Sequence, residues 1–443
     1  MNEHPLREQL HNEIHARPYE RLTTPGLISQ QAFLCNSEQQ KQALQHLRTL
    51  LAEQNRPQPA DGCNFHVANF HGLRLRWERH GEFISYTWFR EGLDADPACW
   101  FASCANASIP TDWKEAIPGQ LLAANHVALL PEKNGEWQEP EITGLLNADA
   151  LVGATISNDE ARVWTDLRIQ QDGYTRFVLQ SRTMTPRRRG RQVQRLLEIE
   201  TYRMLALLSL PAARLITPEI SALELRLSQV MNAIRDNDMD ASADRTTLHN
   251  LSELAAMIEG MVAEHHSRFT ASSAYHDLVL RRISDLHEQQ FQGLQTLGQF
   301  MDRRLTPAMQ TCFHALRRLH GLSERVSRCS NLLQTRVEVE VQQQNRELLA
   351  SMNSRQYLQL RLQQTVEGLS VAAITYYASS LVGHLAEAAY PWSHMEANLV
   401  QGVSIPILGV MVWLGLRRAH QSLQEQSDQQ IKRHRESRRG NKH

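Results

Sequence analysis

The last quarter of the chain contains two long apolar stretches with polar residues on either side. Residues Leu369–Ala386 (LSVAAITYYASSLVGHLA) and Leu399–Leu416 (LVQGVSIPILGVMVWLGL) contain no Asp, Glu, Lys or Arg. Each approaches the roughly 17–25 residues with which a helix crosses a bilayer. The pattern predicts a two-span transmembrane hairpin at residues 366–418. A buried soluble hairpin and a pair of interfacial helices are the alternatives.

The charges around these stretches predict an orientation. Arg417, Arg418 and a basic tail at residues 419–443 follow the second stretch, whereas the intervening loop carries Glu387 and Glu396 and no Lys or Arg. Positively charged flanks remain in the cytoplasm. We therefore expect both termini in the cytoplasm, the loop outside, and the lipid bilayer as a partner.

Residues 1–184 show the mixed patterns of an α+β cytosolic domain. Leucines at helical spacing predict a helix at Ser37–Glu53, with Ser37 as its N-cap. Alternating or short apolar runs predict strands, with a tight turn at residues 171–173. The predicted strands are residues 27–34, 73–79, 83–89, 151–156, 161–169 and 174–180. Residues 95–140 are rich in turn residues and predict no element.

Residues 185–365 have a helical pattern that continues towards the first apolar stretch. Pro211, Pro218 and Pro307 are expected to divide this region. No proline follows until after Ala389, and an apolar stripe runs from Leu316 to Leu362. About 80 residues of helix would extend roughly 120 Å. Such a stalk must pack against other helices, so a coiled coil is predicted, within one chain or in a homo-oligomer.

Composition limits the classes of function. The 443 residues carry a formal net charge of −1, which argues against a nucleic-acid binder. The six cysteines form no CxxC pair, which is typical of reduced thiols rather than a zinc knuckle or a disulfide framework. The amino terminus lacks the apolar core of a secretory signal.

Four long motifs resemble one bacterial family. They are HPLREQLHNEIHARP, GLRLRWERHGEFISYTWF, RRRGRQVQRLLEIETYRMLALLSLPAAR and TRVEVEVQQQNRELLASMNSRQYLQLRLQQTVEGLSVAAITYY. Together they are similar to a family of uncharacterised membrane-anchored proteins, the domain of unknown function 3422, over essentially the whole chain. The resemblance implies a protein of the bacterial inner membrane. It implies no established reaction, cofactor or catalytic residue.

The order of segments also looks like that of the CorA-type magnesium channels, by architecture only. That family carries a Gly-Met-Asn signature in the loop between its spans. The loop of this chain reads YPWSHME at Tyr390–Glu396 and lacks the signature. This departure argues against selection of Mg²⁺.

Two polar clusters in the cytosolic part are candidate chemical sites. His4, His11 and His15 lie seven and four residues apart, a spacing that could place metal ligands on one helix face. The alternative is that they flank an apolar stripe at a polar boundary. The run from Trp77 to His80, with Glu82, could hold an acid–base pair. Its alternative is a set of charges that protect a strand edge.

A basic cluster opens the helical region. Arg187, Arg188, Arg189 and Arg191 could bind anionic lipid headgroups or nucleic acid. Basic residues at a helix N-terminus oppose the helix dipole, which favours an anionic partner. The alternative is a solvated helix start in which Glu198 and Glu200 pair with the arginines.

Small and polar residues recur within both apolar stretches and suggest either helix packing or a pore. In the pore hypothesis, Glu387 and Glu396 form an acidic mouth. The residues of these faces are Gly368, Ala372, Tyr376, Ser379, Gly383, Gly402, Pro406 and Gly409.

These patterns predict a membrane-anchored cytosolic module that forms a homo-oligomer and acts as a scaffold, sensor or regulator. A CorA-like channel or transporter is the alternative. A third hypothesis, an enzyme or metalloprotein that uses the amino-terminal histidines, also stays open, and no cofactor is identified.

Overall fold

A computed structural model of the chain describes residues 3–8, 11, 18–70, 72–94, 96–102, 104–131, 137, 139–146, 150–236, 241–393, 398–399, 402–415 and 417–418. The chain divides into two compact units, Met1–Gln334 and Thr335–His443. The first unit contains a mixed α and β sheet domain followed by long helices, as the sequence predicts. The predicted four-segment division, at residues 1–184, 185–365, 366–418 and 419–443, stays a prediction.

The described strands of the first unit form one sheet in the order β2-β3-β4-β1-β5-β8-β7-β6-β9. Neighbouring strands are antiparallel except for the parallel pair β5 and β8. The strands are β1 (Gly26–Leu34), β2 (Phe65–Phe70), β3 (Leu73–Arg79), β4 (Phe83–Glu91), β5 (Gln120–Leu130), β6 (Val152–Ile156), β7 (Ala161–Ile169), β8 (Thr175–Ser181) and β9 (Gln289–Gln290).

Helices surround the sheet and continue beyond it. They are α1 (Ser37–Glu53), α2 (Thr111–Glu115), α3 (Glu139–Leu146), α4 (Pro186–Leu207), α5 (Ser209–Asp236), α6 (Ala241–Leu286), α7 (Leu297–Ser393) and α8 (Gly402–Gly415). A short 3₁₀ turn occupies Pro97–Cys99.

Both faces of the sheet are covered, so its central strands bury most of their side chains, whereas most side chains of the edge strands β2 and β9 are partly or fully exposed. On one face Ile28 and Phe177 pack with Leu196 of α4. On the other, Leu27 and Trp88 pack with residues of α1. Because side chains alternate along a strand, the strands β1, β4, β5, β7 and β8 contribute residues to both cores.

The predicted bounds of α1 are confirmed, but its predicted N-cap is wrong by one residue. Asn36, rather than Ser37, is the N-cap: its side chain accepts a hydrogen bond from the Gln39 amide at 2.8 Å. The Gln39 side chain in turn accepts from the Asn36 amide at 3.0 Å, which completes a capping box.

Two predicted helix breaks are also wrong. Pro218 lies inside α5, and Pro307 lies inside α7. A third core, which includes Ile216, Leu254 and Leu319, joins α5, α6 and α7. Burial of this core compensates for the hydrogen bond that each proline removes. The uninterrupted helix predicted from Pro307 onward is confirmed, since α7 spans 97 residues.

In the second unit, apolar side chains are exposed and several small or polar residues are buried, the reverse of the first unit. In the stalk, residues 341–366 of α7, every side chain is exposed, including Leu348 and Leu362. Further along, Thr375, Ser379 and Gly383 are buried. A Cβ built on Gly409 of α8 would lie 3.7 Å from the Thr375 methyl group, so α7 and α8 meet through small residues.

Within the described residues, two helices are long and apolar enough to cross a membrane. They are Pro186–Arg235, whose most apolar window is 33% buried, and Leu297–Glu387, whose window is 11% buried. A shorter apolar helix occupies Gly402–Gly415. Length and composition alone do not distinguish a span from the core helix of a soluble domain.

Candidate thiol site

A buried hydrogen-bonded pair lies at the centre of the sheet. Ser29 on β1 and His126 on β5 are direct partners in the antiparallel register. Cross-strand partners project to the same face, about 5 Å apart. The Ser29 Oγ therefore lies 2.8 Å from the His126 Nδ1. This register helps to set the orientation of the imidazole.

Cys104 brings a thiol to the other nitrogen of the ring. Its Sγ lies 3.5 Å from the His126 Nε2. The amide of the next residue, Ala105, donates to the Ser29 Oγ at 2.7 Å, which anchors this loop to β1. Cys104 is partly exposed, whereas Ser29 and His126 are fully buried.

Tyr174, which precedes β8, covers the imidazole. Its ring stacks on His126 with centroids 3.8 Å apart and planes within 8°. Its hydroxyl is hydrogen-bonded to Cys104. Burial, together with the nearby thiol, raises the pKa of Tyr174 far above its usual range, so the hydroxyl keeps its proton and donates to the sulfur.

Burial also determines the charge of His126. Desolvation lowers the pKa of the imidazole to about 4, although Asp172 and the Ile28 backbone carbonyl favour the charged form. Arg176 acts in the same direction as burial. The ring is therefore neutral at physiological pH, with one nitrogen that donates and one that accepts.

One direction of donation brings a hydrogen to the Cys104 sulfur. The Ser29 Oγ accepts the Ala105 amide proton, and its own hydroxyl proton is available to the His126 Nδ1. In the tautomer in which Nδ1 accepts that proton, the Nε2 carries a hydrogen that faces the Cys104 sulfur. Together with the Tyr174 hydroxyl, this places two neutral donors on one thiol. Such donors stabilise negative charge on sulfur and favour its use as a nucleophile.

An unpartnered amide lies close by in the chain. Asn106 is 1% exposed, and its Nδ2 and Oδ1 have no hydrogen-bond partner among the described residues. Asn106 lies two residues after Cys104, and consecutive Cα atoms are 3.8 Å apart. A buried unpaired amide is expensive and points to a missing partner such as water or a ligand.

The predicted histidine cluster is only partly described. His4 and His11 are exposed, and the His4 Nδ1 accepts from the Leu6 amide at 3.2 Å. His15 lies outside the described residues. Among the described residues, no group of three His, Cys, Asp or Glu side chains could hold a metal ion. The metal site stays a prediction.

The predicted arginine cluster lies at the start of α4, and much of it contacts neighbouring groups. Arg188 pairs with Glu160, and the Arg189 Nε donates to the Ser181 Oγ at 3.0 Å. Arg191 lies over the Tyr19 ring at 5.2 Å, and Arg187 is exposed. Binding of anionic lipid by this cluster stays a prediction.

The alternative partners predicted for these arginines are wrong. Glu198 pairs with Arg282 of α6, and Glu200 pairs with Arg203 within α4. Both carboxylates therefore tie α4 to itself and to α6. The arginines at the start of α4 meet the strand connections instead.

The groups of the predicted acid–base turn are divided among separate contacts. Glu78 pairs with Arg76 at 2.9 Å. Glu82 accepts two hydrogen bonds from Arg268 of α6, at 2.6 and 2.9 Å. His80 stacks on Phe83 with centroids 4.1 Å apart. The two carboxylates therefore hold structural ion pairs.

The residues predicted to line a pore or a packing face occupy different environments. Gly368, Ala372 and Tyr376 of α7 are exposed, whereas Ser379 and Gly383 are buried. Gly402 and Pro406 of α8 are exposed, and Gly409 faces Thr375. Glu387 is exposed and lies 3.7 Å from His384, and Glu396 lies outside the described residues.

Sequence patterns alone did not identify the thiol site. Its residues come from three separate regions, and Ser29 and His126 are 97 positions apart. One signal was present: Asn125 and His126 interrupt the apolar run QLLAANHVALL. Polar residues inside a buried strand need partners, so this run marks a polar contact in the core.

A family model described as a protein of unknown function (DUF3422) matches residues 2–423 of the chain. No curated protein and no solved structure matches it.

Proposed function

The chain belongs to this family of proteins of unknown function, and we propose that it is a membrane-anchored cytosolic module that self-associates as a scaffold, sensor or regulator. The observation that carries the proposal is the reversed polarity of the α7–α8 hairpin. Small and polar residues lie between its helices, and apolar residues cover its outside.

Exposed apolar side chains surround this hairpin. Their exposed fractions lie between 48% and 67% at Leu369, Ile374, Leu381, Leu385, Val403, Ile407 and Val410. A soluble helix pair would bury such residues and expose Thr375 and Ser379. Lipid reverses that preference, because hydrocarbon solvates leucine and isoleucine well. We propose the bacterial inner membrane as the location, with both termini in the cytoplasm because a basic tail follows the second apolar stretch.

The other long apolar helix region has a different role in this proposal. Residues Pro186–Arg235 contribute Leu196 to the sheet core and Ile216 to the helical core. Only a part of its outer surface is apolar, for example Leu215 and Leu225 at 69% and 62% exposure. These residues provide a matched control for a test of the anchor.

The test places charges on each surface and measures membrane attachment. The Leu381→Arg/Val410→Arg variant should leave the membrane fraction during alkaline extraction, since each arginine at mid-bilayer costs about 2.5–3.5 kcal/mol. The Leu215→Arg/Leu225→Arg variant should stay in that fraction, like the unaltered chain. The opposite result would place the anchor in α5 and refute the hairpin.

Self-association is proposed to occur between the stalks of two or more copies of this chain. Val341, Leu348, Met352, Leu362 and Val366 are spaced as the d, d, a, d and a positions of successive heptads, and they are 44–67% exposed. The flanking e and g positions contain Gln342, Gln344, Gln356 and Gln363 and no like-charged pair. In the same register Asn345 and Gln359 fall at a positions and Arg355 at a d position, so the seam also contains polar residues, which lower its stability and set its register.

The stalk is tested by native mass measurement of the full chain in detergent. Leu348→Lys/Met352→Lys should lower the number of subunits. The control Ala350→Lys/Ser354→Lys adds the same charges at the same spacing on the opposite side of the helix, at 100° per residue. It should leave the assembly intact. A monomeric unaltered chain, or equal effects of both pairs, would overturn self-association through this face.

A further inference from the structure

We propose that Cys104 is a nucleophilic thiol that takes up soft carbon electrophiles, of the class of α,β-unsaturated carbonyl compounds. The inference does not depend on the membrane anchor. It rests on the two groups that contact the sulfur, His126 at 3.5 Å and the Tyr174 hydroxyl, and on the unpartnered buried amide of Asn106 two residues further along the chain.

The first step of the argument is that the thiol can be reached. Cys104 is partly exposed, whereas the imidazole and phenol that contact it are buried. Buried structural cysteines are inert because no reagent reaches them and no group stabilises the thiolate. Cys312 is an example in this chain: it is 1% exposed, and burial raises the pKa of its thiol.

The second step concerns charge on the sulfur. The His126 Nε2 and the Tyr174 hydroxyl both face Cys104, and neither carries charge at physiological pH. When the thiol loses its proton, both groups donate to the thiolate without a change in their own protonation. Hydrogen bonds to a charged acceptor are roughly twice as strong as neutral ones, so the thiolate gains more than the thiol does.

The third step concerns the ligand. An α,β-unsaturated carbonyl compound presents an electrophilic carbon and an oxygen a few bonds away. The unpartnered Nδ2 of Asn106 is a donor for such an oxygen. In the reaction, the sulfur bonds to the β carbon and the carbon–carbon double bond becomes single. The proton lost by the thiol ends on the α carbon, so no other reactant is required.

The chain contains an internal comparison for this reaction. Cys99 lies five residues earlier and is exposed. The adjacent Asp96 carboxylate raises the pKa of the Cys99 thiol. Because Cys99 is the more exposed of the two thiols, accessibility alone predicts faster reaction at Cys99. The proposal predicts faster reaction at Cys104.

The experiment measures the rate of labelling of the full chain by N-ethylmaleimide at pH 7, with peptide mass spectrometry as the readout. Cys99→Ser reports the Cys104 rate, and Cys104→Ser reports the Cys99 rate. Labelling of Cys104 should be about tenfold faster, as the loss or gain of one hydrogen bond to a charged group implies. Equal rates, or faster labelling of Cys99, would overturn the proposal.

Two further variants test whether the groups that contact Cys104 cause its faster labelling. Tyr174→Phe keeps the ring stacked on His126 and removes only the hydroxyl, so it should fold and slow Cys104 about tenfold without affecting Cys99. His126→Gln should slow the reaction as well. Unchanged labelling in Tyr174→Phe would show that the contacts of Cys104 are structural.

Discussion

The burial of His126 has a consequence for stability that does not depend on reactivity. Desolvation lowers the pKa of this imidazole from 6.5 to about 4. The unfolded chain therefore binds a proton at this site as the pH falls below about 6.5, whereas the folded chain does so only near pH 4. Stability at this site is full above pH 6.5 and declines by about 3 kcal/mol towards pH 4.

The prediction is a smaller acid effect when His126 is replaced by an uncharged residue. Between pH 7 and pH 4.5, the melting temperature of His126→Gln should fall less than that of the unaltered chain. His249, which is exposed, supplies the control: His249→Gln should show the full decrease. His66 and His276, whose pKa values burial also lowers, keep some pH dependence in every variant. Equal decreases in melting temperature in the two variants would contradict a lowered pKa for His126.

At the scale of elements, one glycine explains part of the motif RRRGRQVQ at the start of α4. The segment before β1 crosses this helix so closely that a Cβ on Gly190 would lie 1.8 Å from the Glu20 carbonyl oxygen. Any side chain at this position must displace backbone rather than a flexible group. The crossing brings Pro18–Leu22 against the arginines of α4. For example, the Arg189 Nη1 donates a hydrogen bond to the Leu22 carbonyl oxygen at 3.1 Å.

Gly190→Ala should therefore lower the free energy of unfolding by about 1–3 kcal/mol, the usual effect of overpacking. Gly260 of α6 is a matched control, since a Cβ there would have no neighbour within 4 Å. Gly260→Ala should raise stability by about 0.5–1 kcal/mol through helix propensity alone. Thermal unfolding of both variants gives the comparison, and stabilisation by Gly190→Ala would show that Glu20 does not approach the helix.

Local patterns predicted elements well where each element has a clean period. The strands at Leu73–Arg79 and Ala161–Ile169 were predicted with the bounds that the structure has. The strand Gln120–Leu130 was missed because Asn125 and His126 interrupt its apolar run. The breaks predicted at Pro218 and Pro307 failed because tertiary packing outweighs a lost hydrogen bond.

The candidate site was beyond prediction for a related reason. The pairing of Ser29 with His126 depends on the register of β1 and β5, and Cys104 reaches them from a loop without a periodic pattern. The order of the strands, in which β8 returns parallel to β5, places Tyr174 on the imidazole. Contacts of this kind depend on topology, which a single sequence does not reveal.

At the scale of the whole molecule, the two units follow opposite rules of solvation. The first unit buries apolar residues on both faces of its sheet, with Trp88 on one face and Phe177 on the other. The second exposes Leu381 and Val410 and buries Thr375. The sequence predicted this contrast because length and charge of the apolar stretches are visible without a fold. Cysteine labelling can test the membrane topology that this contrast suggests.

All six native cysteines precede residue 330, so in the proposed topology they lie in the cytosolic part. In the proposed topology, a membrane-impermeant maleimide added to right-side-out vesicles should label Asn398→Cys, at the start of the second apolar stretch, and should spare the exposed Cys99. Inside-out vesicles should give the reverse, because the basic tail holds both termini in the cytoplasm. Labelling of Cys99 and Asn398→Cys from the same side would mean that α7 does not cross the bilayer. The hairpin would then lie on one surface of the membrane, as a pair of interfacial helices rather than a transmembrane anchor.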